Sequence, residues 1–268
     1  MDLQLSDQVV LITGGSSGIG LAAARMFAAE GAHVAIAARD GARLDAAGQS
    51  ITAAGGGRSR VVALAGDLSE PEVPGRVVAE VTSALGPIDI VVNNVGLAYQ
   101  ARLEDLTDDK WDALWQLNVM SYIRTCRAAI PSMRARGKGT IINVSSTAGK
   151  RPSVGMPNYS VTKAAILSYS RLLADTYASD GIRSVAICPG PTTSEAWLAE
   201  GGLAQQVALS KGITREQALE ATGKGRPLGR MATPDEIASM IVFAASPRAA
   251  YVTGAALSVD GGSVPVII

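Results

Sequence analysis

Tyr159 and Lys163 stand four residues apart in a stretch with helical apolar spacing, so both side chains project from one face. A phenol titrates near 10 and a lysine ammonium near 10.4 when neither is perturbed. An ammonium about 5 Å from the phenol would favour the phenolate by roughly 3 kcal/mol at an effective dielectric of about 20, or about two pKa units. That shift moves the phenol toward the range in which a side chain exchanges protons with a reacting group at neutral pH. Ser146 stands thirteen residues before the tyrosine. With six Tyr and six Lys in the chain, chance supplies about 0.13 Tyr-x-x-x-Lys pairs, and about 0.01 once that serine is also required. The competing reading of the pair alone is a surface contact on an amphipathic helix.

A second candidate is the run Thr13-Gly14-Gly15-Ser16-Ser17-Gly18-Ile19-Gly20, which joins the first apolar run to the first helical pattern. Glycines there let the backbone approach a ligand with no Cβ in the way, and a helix N-terminus offers free N–H groups and partial positive charge to a pyrophosphate. The spacing is G-x-x-x-G-x-G, and a plain tight strand-to-helix connection is the alternative. The second strand should end beside an adenosine ribose, where an acidic residue usually marks NAD. This chain has Ala37-Ala38-Arg39 instead. An arginine pairs with a 2′-phosphate, which favours NADP and leaves NAD possible. A solvated Arg39, with Asp40 capping the next helix, is the competing explanation.

The elements that must position these residues are legible as alternation. Strand-like apolar runs occupy residues 9–12, 34–38, 61–65, 88–92, 140–144, 182–188 and 255–259. Helical patterns fall between them, from about 19, at 41–54, 71–85, 108–136, 157–179 and 234–246, with a Gly- and Ala-rich helical insert at 191–226. Continuous apolar strands separated by helices imply an α/β architecture: one doubly wound Rossmann domain over 1–268, its seven-stranded parallel sheet covered on both faces.

Composition narrows the function classes. The 268 residues are 47% hydrophobic and 18% charged, with 24 basic and 24 acidic side chains. Zero net charge offers no drive toward nucleic acid or an anionic membrane, and no apolar run is long enough to span one. The N-terminus does not read as a secretory signal. His33 is the single histidine, which excludes a multi-His metal site, and it reads as structural. Cys126 and Cys188, far apart, fit a reducing cytoplasmic setting, with Cys188 a small core residue.

Taken together, Thr13-Gly14-x-x-x-Gly18-x-Gly20, Asn93-Asn94-Val95-Gly96, Asn118, Ser145-Ser146, Tyr159-x-x-x-Lys163 and Pro189-Gly190 stand in an order that resembles the short-chain dehydrogenase/reductase family. The tail motifs Pro227-Leu228-Gly229-Arg230, Thr233-Pro234-Asp235-Glu236 and Asp260-Gly261-Gly262 resemble its bacterial 3-oxoacyl-reductase-like members, and the likeness covers essentially the whole chain. The resemblance implies hydride transfer between a nicotinamide cofactor and a ketone or secondary alcohol. Tyr159 would be the general acid or base, Lys163 would lower its pKa and bond the nicotinamide ribose, and Ser146 would donate to the substrate oxygen. Asn118 would hold a water linking Lys163 to solvent. Gly14, Ser16, Ser17, Gly18, Ile19 and Gly20 would cradle the cofactor, and Asp67 would accept from the adenine amino group with Leu68 alongside. Asn94 and Gly96 would lie against the ribose, while Pro189, Gly190 and Thr192 would contact the nicotinamide. Val95 stands where the family commonly has Ala, and the Gly loop lacks the cation that many NADP-preferring relatives carry. A catalytically silent nucleotide-binding regulator is the competing function, and the presence of all four catalytic positions argues against it.

Residues 191–226 would form a lid over the site, offering Trp197, Leu198, Leu203, Val207, Leu209 and Ile213, with Tyr99 on the loop after the fourth strand. These suggest a largely apolar small-molecule carbonyl or alcohol substrate, the alternative being that the same residues merely pack the lid onto the body. Arg134, Arg136 and Lys138 offset a helix C-terminal dipole or, alternatively, dock an acidic carrier. The resemblance further implies a homo-oligomer, tetramer or dimer, packed through helices 108–136 and 157–179, with Val264-Pro265-Val266-Ile267-Ile268 in a subunit contact or a fraying end.

Overall fold

The computed structural model describes residues 1–265; Val266, Ile267 and Ile268 of the expected contact lie outside the described residues. Seven strands, β1 (Val9–Thr13), β2 (His33–Ala38), β3 (Val61–Ala65), β4 (Ile90–Asn93), β5 (Gly139–Val144), β6 (Ile182–Pro189) and β7 (Ala256–Val259), form one sheet in the order β3-β2-β1-β4-β5-β6-β7. Every neighbouring pair is parallel, as the uninterrupted apolar runs require. The chain runs outward from β1 to β3 and then returns to place β4 beside β1. That reversal opens a crevice at the carboxyl ends of β1 and β4.

The helices are α1 (Gly18–Ala29), α2 (Gly41–Gly55), α3 (Val73–Leu85), α4 (Asp108–Trp115), α5 (Ser121–Arg136), α6 (Thr147–Lys150), α7 (Pro157–Tyr177), α8 (Glu195–Leu198), α9 (Leu203–Lys211), α10 (Arg215–Lys224) and α11 (Pro234–Ala245). Alternation along β1 divides the core. Val10 and Ile12 pack with Phe27 of α1, Ile51 of α2 and Ile241 of α11, whereas Val9 and Leu11 face Val81 of α3, Ile130 of α5 and Leu173 of α7. Burying such side chains contributes about 1.5–3 kcal/mol each, so both faces of the sheet are held.

Two expectations are refined. The pattern read as one helix over 108–136 is two, joined by a π-helical turn over Gln116–Met120. The 191–226 insert resolves into α8, α9 and α10, three short helices. Among the described residues no helix is long and apolar enough to cross a membrane.

Local chemistry explains where elements start. Thr233 precedes α11 and accepts from the Glu236 N–H at 3.3 Å, while the Glu236 carboxylate accepts from the Thr233 N–H at 2.8 Å, and Pro234 fills the first helical position. Thr233→Ala is expected to lower the unfolding free energy by about 1 kcal/mol, read as a shifted urea midpoint with unchanged slope.

The remaining charged candidates are structural. His33 Nδ1 accepts from the Arg60 N–H at 3.3 Å at the start of β2, away from the crevice. Arg134 pairs with Asp180 at 2.7 Å, and Arg136 and Lys138 both reach Asp89, at 2.6 and 3.3 Å. These cations tie α5 to its neighbours, which favours the intramolecular reading over carrier docking. Burial pushes the Cys126 and Cys188 thiols up to about 11, consistent with inert core residues.

Candidate active site

The crevice opens into a cleft of about 890 Å³. Its floor is the loop after β1. Gly14 adopts φ +68°, and a Cβ there would meet Val95 Cα at 2.9 Å. A Cβ on Gly20 would meet the Gly14 carbonyl oxygen at 2.2 Å, so only glycine lets α1 begin this close to the loop. Ser17 occupies the N-cap of α1 without a side-chain cap bond, and no acidic residue sits in the first turn. The helix therefore presents its N–H groups and positive pole to the cleft, which Ser16, Ser17, Gly18 and Ile19 line. A cradle of this form fits a pyrophosphate.

Asn94 borders the cleft, but its amide is already engaged. Nδ2 donates to the Thr13 and Gly14 carbonyls at 3.1 and 3.0 Å, and Thr13 Oγ1 accepts from the Asn94 N–H at 3.0 Å. Asn94 thus locks the loop after β4 to the loop after β1. Gly96 leaves room where a Cβ would lie 3.3 Å from Asn118 Oδ1 and 3.4 Å from Lys163 Nζ. Pro189, Gly190 and Thr192 also line the cleft, and a Cβ on Gly190 would strike Asp260 Cα at 2.9 Å.

At the ends of β2 and β3, Arg39 Nη1 lies 4.0 Å from Asp67 Oδ2, with the Arg39 side chain 68% exposed. Partial burial acts to raise the Asp67 pKa, but the Ser69 N–H and hydroxyl, with Arg39, bring it below its ordinary value. Arg39 and Asp67 stand outside the cleft lining. Leu68 departs from expectation: it is 1% exposed and packs into the core around α3 and α5, because the chain turns inward there.

The chemistry-bearing residues do converge. Ser146, Tyr159 and Lys163 all line the cleft. Ser146 caps α6, accepting from the Ala148 N–H at 3.1 Å, and its hydroxyl acts to lower the pKa of the Tyr159 phenol. Ser145 donates to the Lys163 carbonyl at 2.8 Å and so anchors α7 against the end of β5. Asn118 is fully buried in the π-helical turn; its Nδ2 donates to the Leu97 carbonyl at 3.0 Å and Thr162 Oγ1 at 3.2 Å, while Oδ1 accepts from the Leu97 N–H at 2.9 Å. The side chain clamps the loop after β4, and both amide hydrogens are used.

One expectation reverses sign. Burial pushes the Tyr159 phenol up rather than down, opposed by the Ser146 hydroxyl. The same burial lowers Lys163 to about 7, against the small upward pull of Cys188. Spacing alone placed the two groups together in a medium of moderate dielectric, whereas in the fold Lys163 is buried and Tyr159 half-buried, and desolvation is the largest influence on each. Lys163 Nζ lies 5.7 Å from the centroid of the Tyr159 ring.

Beyond these groups the cleft is mixed. Trp197, Leu203 and Val207 line it, but Leu198, Leu209, Ile213 and Tyr99 do not. The Tyr99 hydroxyl instead accepts from Asn158 Nδ2 at 2.6 Å. Gln100, Arg151, Ser153, Lys211 and Arg226 also face the space, so the lining is less apolar than the sequence suggests. Two contacts escaped sequence reasoning. Ser194 sits against the phosphate loop, its Cβ 3.2 Å from where a Gly18 Cβ would be, and Arg43 of α2 pairs with Glu195 of α8 at 2.7 Å. They join segments about 150–180 residues apart in the chain, a separation at which no local pattern signals contact.

A doubly wound sheet with a glycine cradle at its switch point and a Ser-Tyr-Lys cluster in the same cleft defines a nucleotide-dependent oxidoreductase. The family model described as short chain dehydrogenase matches residues 8–200, and the chain belongs to that family. It is 36% identical over 264 residues to the D-beta-hydroxybutyrate dehydrogenase of Cupriavidus necator, covering 97% of this chain and 99% of that one. It is 34% identical over 262 residues to a 3-oxoacyl-acyl-carrier-protein reductase of Chlamydia muridarum, covering 98% and 99%. Among solved structures it is similar to L-sorbose reductase from Gluconobacter frateurii complexed with NADPH and L-sorbose, with TM-score 0.93, 38% identity and full coverage of both chains. The protein is thus an NAD(P)-dependent oxidoreductase acting between alcohols and ketones.

Proposed function

We propose that the protein reduces a ketone to a secondary alcohol with NADPH, using Tyr159 as proton donor. The observation that carries this reading is the convergence of Ser146, Tyr159 and Lys163 on the cleft floored by the glycine cradle. The cofactor, when bound, supplies the hydride. The protein's own residues do the rest. Ser146 donates to the substrate oxygen and stabilises the negative charge that develops on it. Tyr159 transfers its hydroxyl proton to that oxygen, completing the alcohol. Lys163 holds positive charge beside the resulting phenolate, and the phenolate regains a proton from solvent by way of Lys163 and a water near Asn118. Because both Asn118 amide hydrogens are engaged, that water is held by an oxygen of Asn118.

Gly14, Ser16, Ser17, Gly18, Ile19 and Gly20 would hold the pyrophosphate, with Asp67 toward the adenine and Gly96, Pro189, Gly190 and Thr192 toward the nicotinamide half. Arg39 would pair with the 2′-phosphate, which is the basis for NADPH over NADH. The expected result is that Arg39→Ala weakens NADPH binding about tenfold to a hundredfold, leaving NADH affinity nearly unchanged. Fluorescence titration with both nucleotides measures it, and tighter NADH binding by the wild type would overturn the preference.

The substrate would be a ketone with an apolar side against Trp197 and Val207 and polar groups toward Gln100 and Arg151. The complex of the similar sorbose reductase with a hydroxylated ketone supports the polar part. The α8–α10 segment would act as the lid. Exposed Val161 and Leu172 on α7, with Trp115 on α4, support assembly into a homo-oligomer, tetramer or dimer. The two buried free cysteines suit a cytoplasmic setting.

A further inference from the structure

Lys163 is 3% exposed, and among the described residues no carboxylate pairs with it. A buried ammonium without a counter-ion must find other acceptors. One is the Val144 carbonyl, to which Nζ donates at 2.8 Å. The other is the Tyr122 hydroxyl at 3.4 Å, which itself donates to the Val144 carbonyl at 3.1 Å. Nζ also lies 5.3 Å from the Tyr122 ring centroid, within the same range as its distance to Tyr159. The ammonium is therefore close to two tyrosines, of which the mechanism uses only one.

Tyr122 is fully buried in the first turn of α5, one helical turn beyond Asn118. The π-helical turn at Gln116–Met120 sets its direction, since an added residue rotates the downstream side chains by about 100° around the helix axis. Val119 and Ile166 pack around it in a small cluster apart from the two main cores. A phenylalanine would fill that space equally well. The hydroxyl alone distinguishes tyrosine here, and it is spent on Lys163 and its partner carbonyl.

We propose that Tyr122 is a positioning residue for the reaction: its hydroxyl and ring face, together with the Val144 carbonyl, hold the Lys163 ammonium charged and in place beside Tyr159. The proposal rests on the reductase reading of the cleft. Burial raises the Tyr122 phenol well above its ordinary value, so the group stays a neutral hydroxyl able to accept from Nζ. The titratable groups facing Lys163 are Tyr122 from α5, Tyr159 from α7 and Cys188 from β6. Both phenols and the thiol stay protonated near neutrality, so Lys163 is the group whose charge changes there.

The test is Tyr122→Phe, with lysine labelled at Cε by carbon-13 and the Lys163 signal assigned through Lys163→Met. The wild-type midpoint is expected near 7. Losing an acceptor disfavours the charged form, so the midpoint in Tyr122→Phe should fall by about one pH unit, the amount that one hydrogen bond to a charged group sustains. The alkaline limb of kcat/KM for NADPH-dependent ketone reduction should move down by the same amount, with activity about halved at pH 6 and largely kept at pH 5. Tyr122→Leu, which also removes the ring, should shift the midpoint at least as far and gives the same reading if the Phe variant misfolds. Superimposable lysine titrations in wild type and variant would overturn the proposal and leave Tyr122 as core filling. Failure of the wild type to reduce any ketone would overturn the reductase reading instead, while the lysine titration still decides the role of Tyr122.

Discussion

Tyr159→Phe is expected to cut kcat for carbonyl reduction by about a thousandfold or more, with NADPH binding and thermal midpoint nearly unchanged. General acid catalysis is worth about 10²–10⁴ in rate. Other hydroxyls line the cleft, Ser146 among them, but an aliphatic hydroxyl is far too weak an acid to replace a phenol. Removing the hydroxyl leaves no buried carboxylate or ammonium stranded. Ser146 keeps its bond from the Ala148 N–H, and Lys163 keeps the Val144 carbonyl. Stability should therefore move by less than about 1 kcal/mol. Steady-state kinetics beside a fluorescence titration and a melting curve separates the outcomes. Retained turnover in a folded, NADPH-binding variant would remove Tyr159 from its assigned role.

The second large effect is at Gly20. A methyl group there would sit 2.2 Å from the Gly14 carbonyl oxygen and 2.6 Å from Asn94 Nδ2, inside any permissible contact. Both neighbours are fixed: Gly14 belongs to the cradle, and Asn94 is bonded to the Thr13 and Gly14 carbonyls. Gly20→Ala must push α1 away from the loop after β1. Overpacking of this kind costs about 1–3 kcal/mol. The displaced helix N-terminus no longer aims its N–H groups at the pyrophosphate, so NADPH affinity should drop by about a hundredfold or more. Gly41→Ala is the control, because a Cβ there meets nothing within 4 Å. It should bind NADPH normally and melt at or slightly above the wild-type temperature. Equal behaviour of the two variants in calorimetry and nucleotide titration would contradict the packing argument.

Much of this architecture is written locally. The strand runs, the helical periods and the glycine punctuation each depend on residues within a few positions, so the seven strands appear close to where the apolar runs lie, with ends moved by one or two residues. The glycine run declares the cradle because backbone freedom belongs to the residue itself. Tyr159 and Lys163 declare one face because helical geometry fixes it at four-residue spacing. The break in the 108–136 helix was not legible, since a single π-helical turn leaves the apolar period almost intact.

Which elements form, which glycines allow close approach and which side chains share a helix face all follow from neighbouring residues, because those properties act over one or two turns of chain. Packing between distant segments is what sends Leu68 to the core, makes Asn94 brace two loops, brings Ser194 and Glu195 over the phosphate loop and α2, and sets Tyr122 against Lys163. The same packing sets the direction in which the Tyr159 and Lys163 protons are biased. Dehydration and long-range pairing depend on what packs over a group, and that is set only when distant segments close around it.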